Sequence, residues 1–198
     1  MRKYCLAFTF LLLVVAAEPQ AADPQLKLHA EIKDQRYCEV DEEIYSLLVP
    51  FRISLINGRT SPVLVSRRIH PLVLVSRTLD DAQSGRHEFE IHPPDVFPQR
   101  PPSRAAIQKE MAERSVVQPG EKFDAETMEA DLLTPKTKHY SKQAVLGPGV
   151  HWVQVVISVH DEGTGTYLRA VSQPMKVTVE QYPRSEKCEL KGENGNPD

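Results

Sequence analysis

Three groups of residues in this 198-residue chain have the types and spacing to do chemistry. The first is Glu88, Glu90 and His92, which alternate within RHEFEIH at 86–92. A strand puts alternate residues on one face, with their side chains near one another. Carboxylate and imidazole groups so placed are ligands for zinc or another divalent ion. Three ligands on one strand are collinear, so a metal would need a further ligand from elsewhere. The same spacing also describes a solvated outer face, with Phe89 and Ile91 turned to the core. The second group is Cys38 and Cys188. The third is Val96, Phe97, Arg100 and Arg104, apolar and cationic residues on and beside PPDVFPQRPP at 93–102. Prolines at 93, 94, 98, 101 and 102 cannot feed a sheet ladder and hold the segment extended, near polyproline geometry. Stiff, exposed segments lose little entropy on binding. This one reads as a docking loop for a protein partner, or as a loop that enters a protease cleft as an inhibitor does. The competing reading is that Val96 and Phe97 pin the loop to the edge of the fold.

Catalytic signatures do not occur. There is no Gly-x-Ser-x-Gly elbow, no His-Glu-x-x-His helix and no phosphate-binding glycine loop. A Ser-His-Asp triad gathered from distant residues is recognised by geometry, not by order in the chain. The sequence therefore reads as non-enzymatic and without a cofactor; the alternative is a secreted metal-binding protein or a hydrolase with a non-local site. His151 shares a strand face with four apolar residues and is expected to be satisfied by a backbone carbonyl. His160, beside Asp161 and Glu162, is expected to be an exposed loop histidine. With 24 basic against 27 acidic residues the net charge is −3, which argues against a nucleic-acid binder.

The first 22 residues, MRKYCLAFTFLLLVVAAEPQAA, have the three parts of a secretory signal peptide: Arg2 and Lys3, an apolar run from Leu6 to Ala17, then small residues. The run falls short of the roughly 20 apolar residues of a bilayer span, and Glu18 and Pro19 follow it. No membrane span is expected after cleavage, and the mature start is expected between Glu18 and Asp23. Losing Arg2, Lys3 and Glu18 takes the net charge to −4. Cys5 is lost too, leaving Cys38 and Cys188 in a chain bound for an oxidising compartment. One disulfide is the natural reading, against two free thiols or an intermolecular bond.

Residues 23–183 of the mature chain carry the elements that would position these groups. In LKLHAEIKD, Leu26, Leu28, Ala30 and Ile32 alternate with polar residues. In IYSLLVPFRISLIN, Tyr45, Leu47, Val49, Phe51, Ile53 and Leu55 form an apolar row at period two, which only a strand places on one face. Pro50 predicts a bulge or a missing partner within that strand, and Asn57-Gly58 marks its turn. Two short strands at 62–69 and 71–79 share the pentapeptide Val-Leu-Val-Ser-Arg, a likeness of composition and not a repeat fold. A turn-rich link at 80–85 and a returning strand at 86–92 lead to an insertion at 93–115. There Ser103 is expected to cap a short helix at 104–114. Trp152 faces away from the row formed by His151, Val153, Val155, Ile157 and Val159, and is expected to lie under that helix. Residues 161–166 form a hairpin loop. The last strand pair is interrupted at Pro174, and 184–198 is a polar tail.

Seven to nine strands with one short helix predict an all-β antiparallel sandwich. The Pro-Gly turn at Gln118–Gly120, and Leu146-Gly-Pro-Gly followed by alternation to Ile157, resemble secreted bacterial immunoglobulin-like domains. That resemblance implies an immunoglobulin-like sandwich and no activity. It also implies that the first and last strands run parallel as neighbours, which would bring Cys38 and Cys188 together. A secreted or periplasmic interaction or structural module of the cell envelope, non-enzymatic and with an unknown protein partner, is the function expected.

Overall fold

The computed structural model describes residues 22–39, 44–66, 71–91, 113–125, 128–136 and 146–186. In chain order the strands are β1 (Leu26–Ile32), β2 (Arg36–Glu39), β3 (Ile44–Asn57), β4 (Val63–Ser66), β5 (Leu72–Ser76), β6 (Phe89–Ile91), β7 (Arg114–Val117), β8 (Lys122–Asp124), β9 (Met128–Pro135), β10 (Gly149–Asp161), β11 (Tyr167–Val171), β12 (Met175–Val179) and β13 (Ser185–Glu186), with one helix, α1 (Leu79–Gln83). They make an all-β sandwich of two sheets. One is built on β3, with β1, β2, β8 and β9 paired to it antiparallel and β13 beyond β2. The other is built on β10, with β4, β5, β11 and β12 paired to it antiparallel, β6 beyond β5 and β7 beyond β4.

Period-two patterning explains the core. Leu47, Val49, Phe51, Ile53 and Leu55 of β3 are fully buried, and Val153, Val155, Ile157 and Val159 of β10 join them in one apolar cluster. Each such side chain contributes about 1.5–3 kcal/mol by leaving water. The repeated pentapeptide gives two strands with one job: β4 and β5 both pair with β10, and both bury their valines, Val63 and Val65, Val73 and Val75.

Both central strands have neighbours broken by a one-residue bulge. Ile32 faces Phe51 and Arg36 faces Leu48, so three residues of one strand oppose two of the other at Pro50. Lys33 N–H donates to the Pro50 carbonyl at 3.0 Å. Proline has no N–H to give back, so the ladder breaks there, as its position in the sequence predicts. The same count recurs at Pro174: Val171 faces Val156 and Met175 faces Val153. Here Ser172 repairs the ladder. Its N–H donates to Val155 O at 2.9 Å, and its hydroxyl accepts from Val155 N–H at 2.9 Å.

The thirteen strands among the described residues exceed the expected seven to nine, because short strands such as β2, β7 and β13 add pairings to the longer ones. Helix α1 stands where a turn-rich link was expected. Thr78 caps it, its hydroxyl accepting from Asp81 N–H at 3.1 Å, and the helix lies against β5 and β10. The expected insertion helix lies mostly outside the described residues; its last residue, Arg114, is the first of β7 and not helical. Trp152 is half-buried, between Ser76 and Lys176 on the neighbouring strands. No helix among the described residues is long and apolar enough to cross a membrane.

The two sheets meet along one corner. Parallel bridges join Ala22 to Arg169 and Leu28 to Ser172, so residues 22–28 run alongside β11 and its continuation. Tyr37 of β2 reaches across to the segment around β12. Its oxygen accepts from Glu180 N–H at 2.7 Å, and its hydroxyl lies 3.3 Å from the Thr178 carbonyl.

Candidate functional site

The sequence-predicted groups fare differently in three dimensions. Glu88 accepts from Arg77 Nε at 2.7 Å, and a second contact joins its other oxygen to Arg77 Nη2. Glu90 pairs with His87 Nε2 at 2.7 Å. The two carboxylates thus have different cationic or imidazole partners, and His92 lies outside the described residues. Among the described residues no three His, Cys, Asp or Glu side chains gather as a metal ion needs. Val96, Phe97, Arg100 and Arg104 also lie outside them. Cys38 is fully buried on β2; Cys188 lies outside the described residues.

The histidines on β10 separate. His151 Nε2 donates to the Gly147 carbonyl at 2.8 Å, the satisfaction expected from its place at the edge of an apolar row. His160 is not a loop residue. It sits inside β10, half-buried, with its ring edge-on to Tyr167 at 5.3 Å between centroids. The hairpin loop begins one residue later than its acidic neighbours suggest, because β10 continues through Asp161 to pair with Val63.

One serine, histidine and acid set is brought together by topology. His29 of β1 and Asp124 of β8 flank Ser54 of β3 as direct cross-strand neighbours. A catalytic triad needs the histidine between the other two. Here the serine is central, and Asp124 is held by Lys122 Nζ at 2.7 Å.

A polar cluster among the described residues centres on Asp161. Asp161 is fully buried at one end of the sandwich. One carboxylate oxygen accepts from Ser61 Oγ at 2.8 Å and Gly163 N–H at 3.0 Å; the other accepts from Arg59 Nη2 at 2.9 Å and Thr164 Oγ1 at 2.9 Å. Burial by itself would raise its pKa. The Ser61 and Thr164 hydroxyls, the Gly163 N–H and the Arg59 charge outweigh that and hold the carboxyl below its ordinary value. Arg59 also binds Asp23 at the start of the described chain. The cluster fastens three segments together: the segment before β1 at Asp23, the β3–β4 link and the β10–β11 hairpin. A carboxylate has about four acceptor positions, and all four of Asp161 are taken. Its chemistry is structural. The sequence signal is faint: an Asp ahead of Gly-Thr-Gly reads as a turn, and two of its four partners, Arg59 and Ser61, lie about a hundred residues away.

A second feature is visible only in the register. Val116, Leu64, His160 and Tyr167 are successive cross-strand neighbours over β7, β4, β10 and β11. They form a row on the outer face of the sheet, because their chain neighbours Val117, Val63, Val65 and Val159 are buried on the inner one. Val116 is 48% exposed and Tyr167 55%. A row of serines and arginines runs beside it, with Arg114 facing Ser66 and Ser158 facing Arg169.

No protein-family model matches the chain, and no curated protein matches it. Solved structures similar to it include these two. One is Northeast Structural Genomics Consortium target SoR45, at 12% identity over 87% of this chain and 100% of that one, with a TM-score of 0.40. The other is a Bordetella pertussis protein provisionally named ApaA, at 11% identity over 84% of this chain and 100% of that one, with a TM-score of 0.36. At these values neither passes a function to this chain.

Proposed function

We propose that the chain is a secreted or periplasmic, immunoglobulin-like sandwich that acts as a non-enzymatic interaction or structural module of the cell envelope. The observation that carries this reading is the outer-face row Val116–Leu64–His160–Tyr167. Val116 and Tyr167 are exposed at the two ends of this line, with Leu64 and His160 half-buried between them, and exposed aliphatic and aromatic side chains are the type of group that anchors protein partners. The signal-peptide pattern of residues 1–22 supports export. The partner is a protein with an apolar surface. The experiment is affinity capture from envelope extracts with wild-type protein, with a Val116→Ser/Tyr167→Ala double variant, and with an Arg100→Ala/Arg104→Ala variant of the proline-rich segment. Loss of the row is expected to weaken capture of a specific partner about tenfold or more, as for residues at the centre of an interface. Capture unchanged by the row variant but abolished by the arginine variant would move the interface to the proline-rich loop. Stoichiometric zinc in the purified protein, lost on replacing His92, would replace the whole reading with a metal-binding one.

The same proposal includes a disulfide between Cys38 and Cys188. Cys38 is fully buried and is not without a partner. Strand β13 pairs parallel with β2 and sets Glu186 opposite Cys38, two residues before Cys188. A disulfide requires a Cα separation of under about 7 Å.

A further inference from the structure

We propose that Asn57-Gly58 is a deamidation site that the fold keeps closed, so that it records time spent unfolded. The chain has three asparagines, and two of them precede glycine, Asn57 and Asn194. Asparagine before glycine is the pair most prone to this reaction in a flexible chain, because glycine has no side chain to hinder attack by its own backbone nitrogen. The Gly58 nitrogen loses its proton and attacks Asn57 Cγ. A new N–Cγ bond forms, the Cγ–Nδ2 bond breaks, and nitrogen leaves as ammonia. Water then opens the cyclic imide at either carbonyl, to aspartate or isoaspartate. No oxidant or reductant takes part.

In the folded protein every atom needed for that attack is tied elsewhere. Asn57 is fully buried. Its Nδ2 donates to Ser61 O and Val117 O, both at 2.9 Å, and its Oδ1 accepts from Arg59 N–H at 3.0 Å. The attacking nitrogen donates to Gln25 O at 2.9 Å. Asn57 N–H donates to Glu121 O at 3.0 Å, and Asn57 O accepts from Gly120 N–H at 2.6 Å. Bringing the Gly58 nitrogen onto Cγ requires breaking most of these bonds at once, in a corner that joins β1, β3, β4 and β7. The asymmetry lies in the product. Aspartate or isoaspartate has no side-chain N–H for Ser61 O and Val117 O, and sets a carboxylate against two carbonyl oxygens where burial is complete. Arg59, the nearby cation, is committed to Asp23 and Asp161. A chain that deamidates while unfolded therefore cannot rebuild this corner.

The test uses the unmodified full chain. Samples are held at mildly alkaline pH, native or unfolded in guanidinium chloride, and peptide mapping by mass spectrometry follows Asn57 over time. In the unfolded sample Asn57 is expected to convert at a rate similar to Asn194. In the native sample conversion of Asn57 is expected to be slower by roughly a thousandfold or more, the scale set by the population of open molecules. After transfer to refolding conditions, the soluble folded fraction is expected to contain Asn57 intact and the misfolded fraction to hold the converted chains. Equal native and unfolded rates at Asn57 would overturn the gating. Converted chains found in the folded fraction in proportion to their abundance would overturn the refolding block. An Asn57→Asp variant with the wild-type denaturation midpoint would overturn it too.

Discussion

Asp161 carries one end of the molecule, and its behaviour follows from its four donors. Replacing it with asparagine keeps the shape but turns an amide N–H₂ toward Arg59 or Thr164 and takes a counter-charge from a guanidinium whose side chain is only 18% exposed. Breaking a buried pair from one side costs about 3–5 kcal/mol; because Asp23 still faces Arg59, the lower end of that range is expected, read as a lowered urea midpoint. The carboxyl's pKa is held below its ordinary value in the fold. Its contribution is therefore fully present above the ordinary carboxylate value and is lost as pH falls through the lower, folded value. Wild-type stability is expected to decline over that acid range, and the Asp161→Asn protein to show a flatter profile there. Equal slopes in urea melts at stepped pH would remove Asp161 from the acid limb. None of this could be read from Asp161-Glu-Gly-Thr-Gly-Thr, which has the composition of an exposed hairpin. Burial came from Ser61 and Arg59, which local sequence does not bring near.

Strands are where sequence and structure agree most closely, and the prolines explain why. Alternation over 44–57 and 149–161 was long enough to decide both strand type and inward face, and the observed buried rows match. Pro50 announced a break because a missing N–H is a local fact. What repairs the equivalent break at Pro174 was not announced, since Ser172 looks like any serine at a strand end. Its hydroxyl stands in for a backbone carbonyl toward Val155 N–H and is buried. Ser172→Ala should leave that N–H without a partner, at a cost of about 1–3 kcal/mol. Hydrogen exchange is expected to show the Val155 amide exchanging faster in the variant while amides of β3 keep their protection. An unchanged Val155 rate would mean that the bulge is held without the serine.

At the scale of the whole molecule, the two sheets are held by a shared apolar core, by the corner where residues 22–28 run beside β11, and by Tyr37 bonded across to Glu180. The proposed Cys38–Cys188 bond would add a covalent tie to the β2 side. Chain-entropy reasoning gives up to about 4–5 kcal/mol for so long a loop. Denatured, unreduced mature protein is expected to show no free thiol, and reduction is expected to lower the thermal midpoint. Two titratable thiols would end the pairing and leave Glu186 beside Cys38 as a contact of no covalent consequence.

By itself the sequence determined those features that depend on neighbours along the chain. These are the strand class and inward faces from period-two alternation, the turns from Asn-Gly and Pro-Gly, the breaks from Pro50 and Pro174, and the carbonyl-bonded His151 from its place in an apolar row. Tertiary structure decided everything that depends on which strand lies beside which. Register alone lines up Val116, Leu64, His160 and Tyr167, puts Ser54 between His29 and Asp124 in an order unfit for a triad, and carries Arg59 to Asp161. The physical reason is range. Backbone sterics and side-chain alternation act within a few residues and leave their mark on local sequence. Cross-strand pairing and burial join residues a hundred apart, and only the folded chain brings them within reach of a hydrogen bond.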